Sequence, residues 1–356
     1  MSVDVINLRS NIKDYIAIFP EDNSFLQEIN QEQHKIFIID QTVDKLYASK
    51  CLNVLGNAEK IIFKVHETSK NIHGVIALYD QVMKFQPKKN TTIISIGGGI
   101  MQDLSGDVAS TLFRGVKWIF IPTTLLAQAD SCIGAKTSLN YKKYKNLMGT
   151  FYPPNTIYIY PNFLQTQNET DYYSGVGEVA KLLLMGGEDA TQFFLKHLAE
   201  IKKRDFLVLS QIIKKCLLIK KAYIEEDEFD MGKRNMLNFG HCFGHALETA
   251  TNFIVPHGQA VVLGIILANY IAEKRNVLSA KKREYLQKNI LTEILKIDIN
   301  SIKINLTEVI AAMKKDKKRI GQDLPLIMLN DNYEMLKIND LKETEVEYAL
   351  KKIGWL

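Results

Sequence analysis

The chain has 356 residues, 46% hydrophobic and 24% charged, with 45 basic against 40 acidic side chains for a formal net charge of +5. That length suits two domains of ordinary size, and the composition excludes disorder and collagen-like order. The weak, dispersed positive balance argues against nucleic acid as a partner and allows a local basic pocket for an anionic small molecule.

In chain order, short runs rich in β-branched and aromatic residues alternate with helical stretches: KIFIID at 35–40, IIFKV at 61–65, TTIISI at 91–96, KWIFI at 117–121 and TIYIY at 156–160. Strands interleaved with helices predict a parallel sheet covered on both faces. The opening segments 3–8 and 15–19 are candidates for an added antiparallel pair. Between 170 and 313 the apolar residues recur at helical spacing, which predicts a helical second domain, with only PLIMLN at 325–330 reading as strand. Pro153, Pro154 and Pro161 punctuate the change. The expected division is 1–161 for an α/β domain and 162–356 for a helical one.

Ile96-Gly97-Gly98-Gly99 ends one strand and opens a helix, where glycines let a phosphate approach backbone N–H groups. It departs from the dinucleotide fingerprint GxGxxG, because Gln102 stands where the last glycine belongs and the motif follows a late strand. Downstream, Thr123 and Thr124 offer hydroxyls to phosphate or ribose. Asp130 and Lys136 are isolated charges in a stretch otherwise poor in them.

The window 238–258, NFGHCFGHALETATNFIVPHG, holds three of the seven histidines. His241 and His245 stand four apart in a helical segment, so both project from one face. His257, between Pro256 and Gly258, sits at a bend that returns the chain toward that face. Clustered imidazoles beside glycines point to a metal or anion site, and zinc also asks for a carboxylate and an open position. Glu178, set among small and apolar residues with Lys181 one turn along, is a carboxylate that burial obliges to be paired or metal-bound.

Cys51, Cys132, Cys216 and Cys242 form no CxxC pair, which predicts reduced thiols and a cytoplasmic setting; Cys242, beside His241, is a further candidate ligand. The N-terminal residues show no signal-peptide pattern, and the longest apolar run, 260–268, is too short to span a bilayer. No membrane association is expected.

Eight motifs in order, GGGIMQDLSGDVAS, FRG, PTTLLAQADSCIGAKTSLN, KNLMGTFYPP, SGVGEVAK, EEDEFDMGKRNMLNFGHCFGHALE, PHG and DKK, resemble 3-dehydroquinate synthase and the related sugar-phosphate cyclases over about 40–318. The resemblance implies a dehydroquinate synthase-like fold: a Rossmann-like NAD-binding α/β domain, an all-α metal- and substrate-binding domain, an active site between them, and a homodimer. It implies zinc or cobalt held by Glu178, His241 and His257, and moves His245 from ligand to phosphate contact. Asp130, Lys136, Asn146, Lys181, Lys220, Arg234, Asn238, His245 and Lys317 (or Lys318) match substrate contacts, with Arg114 supplied by the partner subunit. Of these, Lys136, Lys181, His245 and Asn238, together with Asp230, are the expected catalytic groups. Asp40, Glu67, Lys70, Gly98, Gly99, Asp103, Thr123, Thr124, Asp130, Lys136, Lys145, Phe163 and Thr166 match NAD contacts.

The implied reaction is NAD- and metal-dependent elimination of phosphate from 3-deoxy-arabino-heptulosonate 7-phosphate to give 3-dehydroquinate, in the shikimate pathway. Arg234 favours a substrate that carries a carboxylate. Departures from the family pattern are Asp230 in place of Glu, Asp107 in place of an apolar residue, Gln167-Asn168 in place of Leu-Pro, and Tyr144 in place of Gly. The alternatives are a cyclase acting on a sugar phosphate such as sedoheptulose 7-phosphate, and a metal-dependent NAD polyol dehydrogenase.

Overall fold

The β-branched runs of the first half form one seven-stranded sheet in the computed structural model, which describes residues 4–142, 144–299, 302–315 and 324–356. Its strands are β1 (Asp4–Leu8), β2 (Tyr15–Phe19), β3 (Lys35–Asp40), β4 (Lys60–Phe63), β5 (Thr92–Gly97), β6 (Trp118–Pro122) and, after the two-stranded hairpin β7 (Leu139–Tyr141) and β8 (Tyr144–Met148), β9 (Thr156–Tyr158). The order is β1-β2-β9-β6-β5-β3-β4, with β1 antiparallel to β2 and every other pair parallel. Strands β5 and β6 are buried at every position and β3 at all but its first, because helices cover both faces; the edge strand β1 alternates instead. The connecting helices are α1 (Phe25–Ile29), α2 (Gln41–Tyr47), α3 (Ile72–Val82) and α4 (Gly99–Thr111).

The chain divides into two compact units: one runs to Gln167 and takes in Ile224–Phe229, and the other comprises Asn168–Tyr223 and Asp230–Leu356. The second unit is helical, with α5 (Glu169–Met185), α6 (Glu188–Lys196), α7 (Leu198–Lys202), most of α8 (Phe206–Glu226), α9 (His241–Ala250), α10 (His257–Lys274), α11 (Ala280–Leu286), the short α12 (Thr292–Ile294), α13 (Leu306–Lys314) and α14 (Glu343–Lys352). It also carries an antiparallel hairpin, β10 (Leu324–Leu329) and β11 (Met335–Leu341), of which only β10 reads as strand in the sequence. No helix among the described residues is long and apolar enough to cross a membrane, and the four cysteines are free thiols.

The helical core is built around α5 and α10. Asn168 caps α5 by accepting from the Asp171 amide at 2.9 Å, and from Tyr172 to Met185 every residue of that helix is buried. Helix α10 is buried without a break from Gly258 to Asn269. Helices apolar all round belong in the middle of a fold, where each fully enclosed Leu or Ile, such as Leu263, Ile265 and Leu267, contributes about 1.5–3 kcal/mol over exposure.

The two helices meet backbone to backbone. A methyl group on Gly177 would overlap the carbonyl of Gly258, and one on Gly258 would overlap the carbonyl of Ser174. The Gly258 amide donates to Ser174 Oγ at 2.9 Å across the same contact. Gly258→Ala is therefore expected to lower stability by at least about 1–3 kcal/mol, the cost of overpacking a closed core. Thermal or urea unfolding of the variant measures this; a midpoint equal to the parent's would contradict the close approach.

Candidate functional site

In the α/β unit, β3 leads to one edge of the sheet through β4, while the chain then returns to β5 on the other side of β3 and continues outward. The reversal places the carboxyl ends of β3 and β5 side by side, the position where open α/β sheets bind ligands. Asp40 ends β3 and caps α2 by accepting from the Thr42 amide at 2.6 Å. Gly97 ends β5, and α4 starts at Gly99 with Gly98 as its uncapped N-terminal residue, leaving its first amides to face an anion. Thr123, just beyond β6, donates its amide to the Gly97 carbonyl at 2.9 Å.

Gln102, which breaks the glycine fingerprint, has a structural task. Its amide donates to the Ser131 carbonyl and accepts from Ser131 Oγ, both at 2.7 Å. Gln128, fully buried, donates to the carbonyls of Pro122 and Tyr160, each at 3.0 Å. Together the two glutamines hold the π-helical turn Ala127–Ser131, which carries Asp130.

Four of the expected contact residues form one network with Ser138 and Asn140, whose side-chain oxygen accepts from the Asn146 amide at 2.9 Å. Lys70 Nζ lies 2.6 Å from Asp103 and donates to Asn146 Oδ1 at 2.7 Å, while the Ser138 amide donates to Asp103 at 2.7 Å. Glu67 accepts from Asn140 at 2.8 Å. Burial raises the Asp103 carboxyl above its ordinary value, although Lys70 and Ser138 favour its ionised form. Asp107, one turn along α4, is raised by burial and by Asp103. Lys136 Nζ lies over the Phe151 ring at 5.9 Å. Phe163 is a core residue, edge-on to Tyr47 at 4.9 Å, and Thr166 Oγ1 is 2.8 Å from the Tyr47 hydroxyl. Arg114 follows Phe113 in a turn where both have positive φ, 63° and 50°. Thr124 accepts from the Ala127 amide at 3.3 Å, and Lys145 lies on β8.

In the helical unit three elements converge. Glu178 comes from the middle of α5, His241 is the first residue of α9 and His257 the first of α10. Glu178 Oε1 is 3.3 Å from His241 Nε2 and 3.0 Å from His257 Nε2, and one ligand atom of each residue lies within 4.8 Å of the others. Lys181 Nζ stands 2.5 Å from Glu178 Oε2, with both side chains almost wholly enclosed. Neither Glu178 oxygen accepts a well-directed hydrogen bond among the described residues, so a buried anion is met by charge alone.

The ring nitrogens show what that anion awaits. His241 Nδ1 lies 3.1 Å from the Phe239 carbonyl, which only accepts, so Nδ1 carries hydrogen and the neutral ring presents a lone pair at Nε2. A lone pair directed at a carboxylate is repulsive unless a cation lies between them. His257 Nδ1 likewise lies 3.1 Å from Glu248 Oε2. Zinc at about 2.0–2.2 Å from each of four tetrahedral ligands spaces them roughly 3.3–3.6 Å apart, close to the 3.3 and 3.0 Å between Glu178 Oε1 and the two Nε2 atoms. The donor set of one carboxylate and two imidazoles fits a divalent ion of that kind.

Protonation follows the same geometry. Burial works to raise the Glu178 carboxyl, but Lys181 and then His241 outweigh it and hold the group well below the usual carboxylate range. Burial, opposed by Glu178, takes His241 down to about 4. Burial also acts to lower His257, but its contacts with Glu178 and Glu248 prevail and push it up to about 10. Without a metal, His257 is thus the imidazolium that neutralises Glu178.

His245 lies on the same helical face as His241, as the spacing predicts, with ring centroids 5.3 Å apart; its ring stacks at 5.9 Å on His257. The trio around Glu178 draws its second imidazole from α10, and His245 groups with Glu248 and His257 instead. Cys242 faces elsewhere and donates to the Pro325 carbonyl at 3.0 Å. Lys220 and Arg234 are buried, Asn238 donates to the Asn235 carbonyl, and Asp230 has φ 63° with Asn235 Nδ2 3.3 Å from its carboxylate. Lys317 and Lys318 lie outside the described residues. Glu248, Gln128 and Ser138 are not singled out by the sequence. Glu248 alone left a signal there, as an acid one helical turn after His245 in a window of apolar and small residues.

Residues 60–174 match the family model for the 3-dehydroquinate synthase N-terminal domain, and 175–319 that for its C-terminal domain. A 3-dehydroquinate synthase of Clostridium tetani is 34% identical over 327 residues, covering 91% of this chain and 84% of its own. That of Pelagibacter ubique is 34% identical with 99% of both chains covered. Among solved structures, the 2-epi-5-epi-valiolone synthase ValA of Streptomyces hygroscopicus, with NAD+ and Zn2+ bound, superposes with a TM-score of 0.85 at 23% identity, covering 97% of this chain and 99% of that one. A 2-deoxy-scyllo-inosose synthase complexed with carbaglucose-6-phosphate, NAD+ and Co2+ gives 0.81 at 21%, with 98% and 100% covered. At those identities the likeness shows the fold, which is that of the sugar-phosphate cyclases.

Glu178→Ala removes the carboxylate that faces the enclosed Lys181 ammonium, whereas the partly exposed His257 keeps its contact with Glu248. In the presence of a chelator the variant is expected to lose about 3–5 kcal/mol of stability, as for other broken buried pairs. Chemical denaturation measures it, and a variant as stable as the parent would contradict the charge balance.

Proposed function

The chain belongs to the 3-dehydroquinate synthase family, and from that premise we propose that it converts 3-deoxy-arabino-heptulosonate 7-phosphate to 3-dehydroquinate by eliminating phosphate, a carbon–oxygen lyase reaction of the shikimate pathway. The observation that carries this reading is the buried Glu178 carboxylate with a bare imidazole nitrogen directed at it. The cofactors are NAD, bound by the α/β part (1–161), and a zinc or cobalt ion, bound with the substrate by the helical part (162–356). Supporting NAD is the pairing of Asp40 with the Gly97–Gly99 turn at adjacent strand ends.

When bound, the ion supplies Lewis-acid polarisation of substrate oxygens, and NAD supplies a hydride acceptor that gives the hydride back within one turnover. The residues of the chain bind and orient. Glu178, His241 and His257 hold the ion, and Lys181 offsets the Glu178 charge. Lys181, Lys220 and Arg234, at 2%, 8% and 4% exposure, are enclosed cations suited to a phosphate and a carboxylate. The planar fork of Arg234 matches a carboxylate bidentately, which favours the heptulosonate over sedoheptulose 7-phosphate, a sugar without that group. Asp230, steadied by Asn235, faces a substrate hydroxyl, while Asn238 and His245 orient the substrate and its phosphate. Arg114 completes the phosphate site of a second copy in a homodimer.

Purified protein given NAD, cobalt or zinc and the heptulosonate phosphate is expected to release inorganic phosphate with no net build-up of NADH. Phosphate assay and NADH absorbance follow the two together. Steady NADH accumulation would replace this reading with a polyol dehydrogenase, and phosphate release from sedoheptulose 7-phosphate alone would replace it with another cyclase.

A further inference from the structure

Glu248 is 6% exposed and lies on α9 one turn beyond His245, in a position the triad itself does not account for. Its carboxylate reaches across to α10, where Oε2 lies 3.1 Å from His257 Nδ1, while the opposite ring nitrogen of His257 faces Glu178 at 3.0 Å. The same residue also fixes the connection between the helices. Its backbone carbonyl accepts from the Phe253 amide at 2.7 Å, closing a turn in which Asn252 and Phe253 have φ of 49° and 62°. Glu248 thus grips both ends of the short loop that delivers His257.

The two imidazoles of the triad are backed differently. His241 Nδ1 meets a neutral carbonyl and His257 Nδ1 a carboxylate. A carboxylate behind a ring fixes its rotation and hydrogen position more strongly than a carbonyl, and makes the far nitrogen a better donor. We propose that Glu248 is a positioning residue: by holding His257 at Nδ1 it aims Nε2 at the space beside Glu178, and so sets the affinity of the triad for its divalent ion. This rests on the reading that Glu178, His241 and His257 hold that ion. The rival use of Glu248 is as a direct ligand, since one ligand atom each of His245, Glu248 and His257 also lies within 4.8 Å of the others. That use requires His257 Nδ1 to give up its hydrogen and the ring to bridge two cations.

The test is titration of chelator-stripped protein with cobalt(II) alone, following stoichiometry, the visible cobalt spectrum and affinity by chelator competition, in the parent, Glu248→Ala, Glu248→Gln and Glu178→Ala. One ion per chain is expected in the parent. Glu248→Ala is expected to weaken it about 10–100-fold, the range for lost outer partners of a ligating histidine, with the spectrum keeping its shape. Glu248→Gln, whose amide oxygen still accepts from Nδ1, should recover most of the affinity, and Glu248→Leu, of similar size but without an acceptor, takes the place of the alanine variant if that does not fold. Glu248→Ala, or Glu248→Leu in its place, binding as tightly as the parent would overturn the proposal. So would two ions in the parent with only one of them lost in Glu248→Ala, which would make Glu248 a ligand. No ion in the parent, or undiminished binding by Glu178→Ala, would overturn the triad itself and this inference with it.

Discussion

The candidate site depends on how closely two helices approach. Where α5 and α10 cross, Gly177 and Gly258 bring backbone against backbone, and each is the immediate neighbour of a triad member, Glu178 in one case and His257 in the other. A side chain at either position would wedge the helices apart by more than a carboxylate–imidazole contact tolerates. The glycines therefore set the distance across which the carboxylate and the imidazole face one another, and Ser174, bonded to the Gly258 amide, fixes the register. Helix α9 then needs only to present its first residue, which it does after Gly240, a left-handed residue with φ 78°.

Electrostatics follow from that geometry. A carboxylate as enclosed as Glu178 is costly to keep ionised, and the fold keeps it so with Lys181 on one oxygen and two imidazoles on the other. The hydrogen on His241 is committed to a carbonyl and one hydrogen on His257 to Glu248, so both Nε2 atoms remain for an ion. An arrangement that is uncomfortable for protein groups alone is matched to a small divalent cation, and this joins the helical core to the chemistry inferred for the family.

Much of this was legible in the sequence. Strands β3, β5 and β6 declare themselves because strands buried on both faces need continuous apolar, β-branched runs, and the glycines after β5 mark a strand end by composition. The acid at Glu178 stands out because its immediate neighbours in sequence are small or apolar. Other features left little trace. Strand β11, MLKINDL, mixes exposed and buried positions and reads as polar. The turn at Ala127–Ser131 is held by side chains from distant elements, which no local propensity reports. Helical periodicity compared His241 only with its neighbour His245; it had no view of the crossing of α5 and α10, which joins residues far apart in the chain. Family resemblance supplied that pairing, and the backbone contact at Gly177 and Gly258 gives its physical reason.

The most direct test of the account is a crystal of the zinc-soaked protein measured on either side of the zinc absorption edge. A single anomalous peak per chain is expected about 2.0–2.2 Å from a Glu178 oxygen, His241 Nε2 and His257 Nε2. A peak elsewhere, between His245 and Glu248 for instance, or none in a fully soaked crystal, would contradict it.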